Sequence, residues 1–393
     1  MTFFVLYHYM KVQNLTHDFD IKNPNFLLYP HVRSNASIVH HKGNIYYLVY
    51  RLFIPISRTK ISNVPIPWKV KWQNSEDTTV FCVLRRNADG QFKLVSEQII
   101  HSDDSVNGIV DSRIYKTNDG YNLSFNTWTQ NPKGSIRNDL KKACKGNWNC
   151  TYVANAPFKV KDASIGSLSF PCLNLDTVMP QSNRCHPGQR EEKNWVWWTS
   201  SKGHEMISYF VEPHIVFQKS KNDNTCKLIA QSNGGHLAKI KALYPSMNFL
   251  LGAPPIKLNR NEFISVGHVK YNYKKTSAIN QKSLVDKVLH FNKACDPKKP
   301  GSLIYMMFIY TFDSKPPFAL KRISNAFIPP DHGKYLLPFP MGIAPKHNHD
   351  GFVISYGEAD SFVKLLSITS NELSHMLMDI NTLKPEKYKF TVL

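Results

Sequence analysis

The chain is short of acid. Its 29 aspartates and glutamates face 49 lysines and arginines, a surplus of 20 positive charges. A surplus of that size points to an anionic partner, which can be nucleic acid, a membrane surface or a phosphorylated small molecule. The basic residues are dispersed, however. Paired lysines occur at Lys141-Lys142, Lys274-Lys275 and Lys298-Lys299, without an arginine-rich arm, a zinc-finger pattern or an RNA-binding aromatic signature. Nucleic acid is therefore not expected, and a phosphate-bearing substrate stays open. Long apolar runs are missing too, so no membrane span is expected. The opening MTFFVLYHYMKV lacks a basic leader and a smooth apolar core; it reads as a first strand, with a cytoplasmic location as the default. The seven cysteines are odd in number and irregular in spacing, which fits reduced thiols better than a disulfide framework. Cys144-x5-Cys150 and Cys185-His186 are poor zinc spacings, so no metal and no cofactor are expected. Sequons at Asn14, Asn35, Asn122 and Asn149 carry little weight in a chain this rich in asparagine.

Helical periodicity is scarce as well. Ser361 to Ile380 and part of Ser283 to Phe291 read as helices; nearly everything else is short alternating strand separated by Gly, Pro, Asn and Asp. Asn118-Asp119-Gly120 lies between two alternating runs, a strong hairpin signal because Asp and Gly tolerate positive φ. It places Asp111 and Arg113 on one strand and, by alternation, on one face. A loose repeat runs through the chain, in which a polar turn leads into an alternating strand. Its copies are HKGNIYYLVYR, KTNDGYNLSFNTW, TSSKGHEMISYFVEPHIVF, KLNRNEFISVGHV and KHNHDGFVISYGEAD. Five copies at intervals of roughly 60 to 90 residues are what sheets arranged around an axis would give. The expected fold is all-β: a single five-bladed β-propeller domain over residues 1–393, with a C-terminal helix. Long loop insertions are expected at about 133–187 and 272–300, where loops on a rigid scaffold can carry binding residues.

Further stretches could carry chemistry: Glu192-Lys193-Asn194-Trp195, Gly252-Ala253-Pro254-Pro255-Ile256 leading to His268, and Tyr356-Gly357-Glu358-Ala359-Asp360. Each has an ordinary structural reading. Asp111 with Arg113 suits a plain ion pair, the tryptophans suit core packing, the prolines suit a strand end, and His268 suits an interior histidine. What raises the odds is the joint pattern, in which each inner strand would deliver one polar or aromatic group to a central channel.

The order of these motifs resembles the five-bladed β-propeller glycosidase clan, most closely the inverting β-mannoside phosphorylases and the mannosyltransferase-phosphorylases of trypanosomatid parasites. Asp111-Ser112-Arg113-Ile114 matches an Asp-Pro-Arg-Ile-like element, Gly252 to Ile256 with His268 a Gly-x-Pro-Pro-Ile element, and Tyr356 to Asp360 a Tyr-Gly-x-x-Asp element. The Glu-Lys-Asn-Trp stretch is similar to uncharacterised bacterial and viral relatives of the clan. Val110 and Ser112 depart from the usual Glu-Asp-Pro-Arg, and Val266-Gly267 stands where a tyrosine often precedes the histidine. The resemblance, which spans Arg51 to Lys364, implies transfer of a β-mannosyl group with inversion, by phosphorolysis or from a sugar-phosphate or nucleotide-sugar donor. It makes Asp111 the proton donor, acting through a sugar hydroxyl, and Arg51, Arg113, Lys193 and His268 phosphate ligands. Asn194 would bind substrate, Tyr356 and Asp360 would orient sugar hydroxyls, Trp195 would stack on the ring, and Glu212 would be a second carboxylate. The alternatives are an inverting hydrolase, which needs two carboxyl groups about 6.5–9.5 Å apart, and a glycan-binding propeller without chemistry.

Overall fold

Strict alternation in the third repeat copy and just before it shows how the strands are used. Trp195 and Trp197 lie in one apolar cluster while Val196 and Trp198 lie in another, so both faces of one short strand are buried. A strand buried on both faces reads as a continuous apolar run, and it needs a sheet packed on each side. The computed structural model supplies those sheets. It describes residues 10–16, 32–55, 75–102, 109–128, 151–169, 172–173, 195–221, 225–232, 234–244, 247–272, 303–330, 337–358 and 362–392.

The described strands form five sheets in chain order. The first holds Val32–Lys42, Ile45–Pro55, Ser75–Arg86 and Phe92–Ile99. The second is built on Val110–Thr117, Gly120–Trp128 and Thr151–Lys159, the third on Val196–Thr199, Glu205–Phe210, Ile215–Lys219 and Thr225–Gln231. The fourth centres on Glu262–Asn272 and Leu303–Asp313, and the fifth on Pro338–Pro345, Phe352–Glu358 and Phe362–Ile368.

Four apolar clusters join these sheets into a ring. Tyr46, Leu48 and Tyr50 of the first sheet pack with Val353, Val363 and Leu365 of the fifth. On the opposite face Tyr47 and Val49 pack with Leu123 and Phe125 of the second sheet, and the same cluster runs on to Trp197 and Phe217 of the third. Trp198 and Met206 meet Phe308 and Tyr310 of the fourth, and Val266 and Met307 of the fourth meet Ile343 and Ile354 of the fifth. Full burial of such side chains stabilises by about 1.5–3 kcal/mol each. The ring therefore stands on face-to-face packing rather than on hydrogen bonds between sheets. Lys11–Asn14 pairs antiparallel with Phe362–Ile368, so a strand from near the start of the chain completes the last sheet. Ring closure of this kind is the β-propeller solution to exposed sheet edges.

The five repeat copies coincide with one structural feature, the turn from the innermost strand of each sheet to its second strand. Asn118-Asp119 makes a two-residue turn between Thr117 and Gly120, which has φ 141°. The polar residues that end these copies consequently sit on second strands, not on the inner strands where the alternation placed them. They come back to the axis all the same. Arg51 pairs with Ser34, Asn126 with Val110 and Glu358 with Pro338, each near the start of its inner strand, and His268 with Leu250, at the end of Met247–Leu250.

Two expectations change. Ser361 to Ile380 is not one helix: Phe362–Ile368 is a strand, helix α2 covers Ser370–Met376, and Leu377–Asp379 is again a strand. The FVKLLSI run is apolar on both faces, which periodicity alone cannot assign; Thr369 and Glu372 then start the helix with a reciprocal capping box. The expected insertion at 133–187 includes strand Thr151–Lys159, paired with Gly120–Trp128, so part of it is sheet. Of the rest of that insertion only 160–169 and 172–173 are described; the remainder lies outside the described residues, as do 273–300 and the expected helix at Ser283 to Phe291. Helix α1, His236–Leu243, was not expected from the sequence; it buries Leu237 and Ile240. No helix among the described residues is long and apolar enough to cross a membrane.

Candidate active site

Asp111 sits where the strand Val110–Thr117 departs from regular pairing. The register slips between Val110 and Arg113, and Asp111 takes φ 52°. A bulge with a left-handed residue re-aims one side chain out of the strand's alternation, which is why Asp111 and Arg113 do not share a face as the spacing predicts. The Asp111 carboxylate is 20% exposed, whereas the Arg113 side chain is fully buried. Around the bulge, Thr79 Oγ1 donates to the Ile109 carbonyl at 2.6 Å and lies 2.8 Å from Ser112 Oγ. The Ile114 amide donates to Ser37 Oγ at 3.2 Å. Neighbouring strands thus hold the irregular backbone on both sides of Asp111.

Three groups converge on the carboxylate. Asn35 Nδ2 donates to Oδ1 at 2.7 Å, Asn126 Nδ2 to Oδ2 at 3.4 Å, and Arg51 Nη1 forms an ion pair at 3.6 Å. Asn35 belongs to the first sheet and repeats the geometry of Asp111, with φ 53° at a register slip between Ser34 and Ser37. Positive φ is uncommon outside glycine, and such residues gather at functional sites where the surrounding structure over-determines them. Sequence reasoning did not single out Asn35 or Asn126. Asn35 stood out only as a sequon, and Asn126 only as one polar position in an alternating strand.

Arg113 does not pair directly with Asp111. Its Nε donates to the Gly252 carbonyl at 2.7 Å, and its guanidinium lies 6.0 Å from the Phe339 ring centre. Burial brings its pKa down to about 10, against the pull of Asp111, which favours the charge. His268 lies across Phe339, edge to face at 4.8 Å between ring centres. Burial first, then the charges of Lys270 and Arg113, push its pKa well below the usual histidine value, with the Leu251 backbone pulling the other way. His268 is therefore a neutral imidazole near pH 7. Asp111, Arg113, Phe339 and His268 thus form a file across the strand starts of the second, fifth and fourth sheets.

Other expected site residues fall elsewhere. Trp195 is 2% exposed and packs on Tyr209 within the core shared by the second and third sheets, so it offers no open ring face to a sugar. The Glu212 carboxylate accepts from the backbone amides of His236, at 3.1 Å, and Leu237, capping the N-terminus of helix α1. That is a structural anchor, not the second carboxylate of a hydrolase. Tyr356 is buried in the cluster between the fourth and fifth sheets. Glu358, two residues on, is paired with Lys364 at 2.6 Å, both almost fully buried. Lys193, Asn194 and Asp360 lie outside the described residues.

A cleft of about 310 Å³ lies at the other ends of the inner strands. Its lining includes His40, Lys116, Ser200, Pro254 and Pro345, and none of the expected site residues.

No family model matches the chain, and no curated protein matches it. Solved structures do. The β-1,2-mannobiose phosphorylase of Listeria innocua superposes with a TM-score of 0.51 at 10% identity, over 94% of this chain and 99% of that one. A mannose phosphorylase from Leishmania mexicana gives 0.46 at 12% identity, over 90% and 89%. A family 117 glycoside hydrolase from Zobellia galactanivorans gives 0.39 at 10% identity, over 96% and 92%. At these identities the first likeness establishes the all-β fold of the propeller glycosidases and nothing finer.

Proposed function

We propose that this protein is a carbohydrate-active enzyme of the glycoside phosphorylase type, with Asp111 as its proton donor. The observation that carries the reading is the setting of Asp111. A partly open carboxylate stands on a left-handed residue, bracketed by Arg51 and two asparagine amides drawn from two sheets. A structural ion pair needs no such backbone, and its two partners would ordinarily sit on regular strands.

One accessible acid with a cation beside it suits phosphorolysis. Phosphate attacks the anomeric carbon, the C1–O phosphate bond forms, and the C1–O glycosidic bond breaks with inversion. The leaving oxygen takes a proton that originates at Asp111 and passes through a sugar hydroxyl. Phosphate is its own nucleophile, so no second carboxylate is required, whereas inverting hydrolysis needs a base to activate water. Among the described residues the other expected acid, Glu212, is committed to helix α1, and Glu358 to Lys364. Arg51 is the cation beside Asp111 and suits a phosphate oxygen. Arg113 and His268 support it from below, one by its charge and the other as a neutral hydrogen-bonding ring.

The sugar we assign is a β-mannoside, from the motif order around Asp111, Gly252 and Tyr356, and the acceptor or donor is an oligosaccharide or sugar phosphate. We take residues 1–393 as one propeller domain, because strands from near both ends of the chain pair in the last sheet.

The test is product release from manno-oligosaccharides with and without inorganic phosphate. Phosphate-dependent formation of mannose 1-phosphate is expected, and Asp111→Asn should reduce it by about 100-fold or more. Turnover that ignores phosphate would make the protein a hydrolase. Unchanged turnover in Asp111→Asn would remove Asp111 as the donor. Glycan affinity with no turnover on any donor would place the protein among binding propellers.

A further inference from the structure

We infer that Asn35 is the positioning residue of Asp111, and that position 357 lacks a side chain because Asn35 must lie against it. The inference rests on the reading of Asp111 as the proton donor.

The geometry couples three sheets. Asn35 Nδ2 makes the shortest of the contacts to the Asp111 carboxylate, 2.7 Å against 3.4 Å from Asn126 and 3.6 Å from Arg51. It reaches there only because residue 35 is left-handed on a bulge, a conformation that asparagine tolerates better than most residues. On its other side Asn35 abuts the fifth sheet. A Cβ added to Gly357 would come 2.2 Å from Asn35 Oδ1, 2.6 Å from its backbone nitrogen and 3.0 Å from its Cα. Two of these three atoms belong to the Asn35 main chain, so no rotation of the amide relieves the clash. Gly357 is not among the residues of positive φ. Its backbone does not require glycine; the space does. The Asp111 carboxylate only accepts, so the amide turns its NH₂ to Asp111 and its oxygen toward Gly357. A residue of the last sheet therefore orients, through Asn35, the acid on the second.

Three variants separate this role from general support of the fold. Asn35→Gly removes the amide while keeping a residue at ease with positive φ. Asn35→Asp keeps the shape but replaces the donor with an acceptor. Gly357→Ala leaves the amide in place and displaces it. Each should lower kcat by about 100-fold, the scale on which a displacement of about 1 Å is felt, with KM within a factor of about two. The melting temperature of Asn35→Gly should stay at the wild-type value. The double variant Asn35→Gly/Gly357→Ala should lose no more kcat than Asn35→Gly alone, because the methyl group still meets the main chain at residue 35 but no amide remains to carry that displacement to Asp111. Wild-type kcat in Asn35→Gly, or additive losses in the double variant, would overturn the inference.

A second readout does not depend on turnover. With ¹⁵N-labelled asparagine, the Asn35 side-chain resonance, identified by its absence from Asn35→Gly, should shift in both Asp111→Asn and Gly357→Ala. A resonance that stays put in both would overturn the inference even in an active enzyme. A resonance that moves in a protein inert toward every donor supports the contact and sinks the proposed reaction instead.

Discussion

His214 makes the fold sensitive to acid by an amount that can be worked out from its surroundings. The ring, on the turn between Glu205–Phe210 and Ile215–Lys219, is fully buried against Phe312 of the fourth sheet. Its Nδ1 is 2.8 Å from the Phe318 carbonyl, so Nδ1 carries the hydrogen and donates. Its Nε2, 2.9 Å from Ser208 Oγ, then accepts the Ser208 hydroxyl proton, and Ser208 in turn accepts from Trp198 Nε1 at 3.1 Å. The neutral tautomer satisfies the whole relay. A proton on Nε2 would face the hydroxyl hydrogen, and burial lowers the pKa from 6.5 to about 4, with the Phe318 carbonyl pulling back. The unfolded chain binds a proton near pH 6.5 that the folded chain refuses until about pH 4, so stability is full above the higher value and falls as acid is added between the two. At 1.36 kcal/mol per pKa unit, going from pH 7.5 to pH 5 costs about 2 kcal/mol through His214 alone. His268 shifts the same way and adds to the loss. Urea unfolding of wild type and His214→Gln at both pH values checks this. The difference in stability between the two proteins should shrink by about 2 kcal/mol at pH 5, whatever the carboxylates contribute to both. An identical pH slope in wild type and His214→Gln would refute the tautomer and its burial cost together.

Two further outcomes follow from the carboxylates that the site does not use. Removing one partner of the Glu358–Lys364 pair, by Glu358→Gln or Lys364→Met, should destabilise by about 3–5 kcal/mol, because it strands a buried charge. Glu358→Leu with Lys364→Met should recover most of that loss, and denaturant unfolding of all three variants measures it. Glu212→Gln should cost about 1 kcal/mol of stability, through the weakened cap on helix α1, and leave kcat unchanged. A large fall in kcat at wild-type stability would return Glu212 to the chemistry.

Much of the fold was legible because the features that specify it are local. The five polar turns recur because each sheet must reverse from its innermost strand to its second. A turn such as Asn118-Asp119-Gly120 announces itself through residues that accept positive φ. The strand Phe362–Ile368 was not legible for the opposite reason. Packed between the clusters it shares with the first and fourth sheets, it is apolar at nearly every position, and the alternation that marks a half-exposed strand is absent. Helix α1 was missed because it is only eight residues long, too short for the spacing of its buried Leu237 and Ile240 to stand out, and its start is anchored by a distant carboxylate, Glu212.

The site divides along the same line. Asp111 was legible through the motif around it, yet its direct partners were not. Alternation pairs it with Arg113 two residues on, but the bulge turns the carboxylate away to Arg51, 60 residues earlier, and to Asn35, 76 residues earlier. A bulge leaves no mark on a hydrophobic pattern, because it is one residue inserted where the neighbouring strand permits it. What the sequence does carry is its consequence on the facing sheet, a glycine at 357 whose backbone has no need to be one. Glycine inside a strand ordinarily weakens it and so needs a cause; here the cause is Asn35, pressed against position 357 by its contact with Asp111. The Tyr-Gly element and the Asp-x-Arg element, 245 residues apart, are thus two ends of one constraint, Gly357 to Asn35 to Asp111. If that is so, replacing Gly357 must disturb the acid while Tyr356, facing the core on the other side of the same strand, disturbs only stability. A Tyr356→Phe variant that matched Gly357→Ala in lost kcat at wild-type stability would break the link.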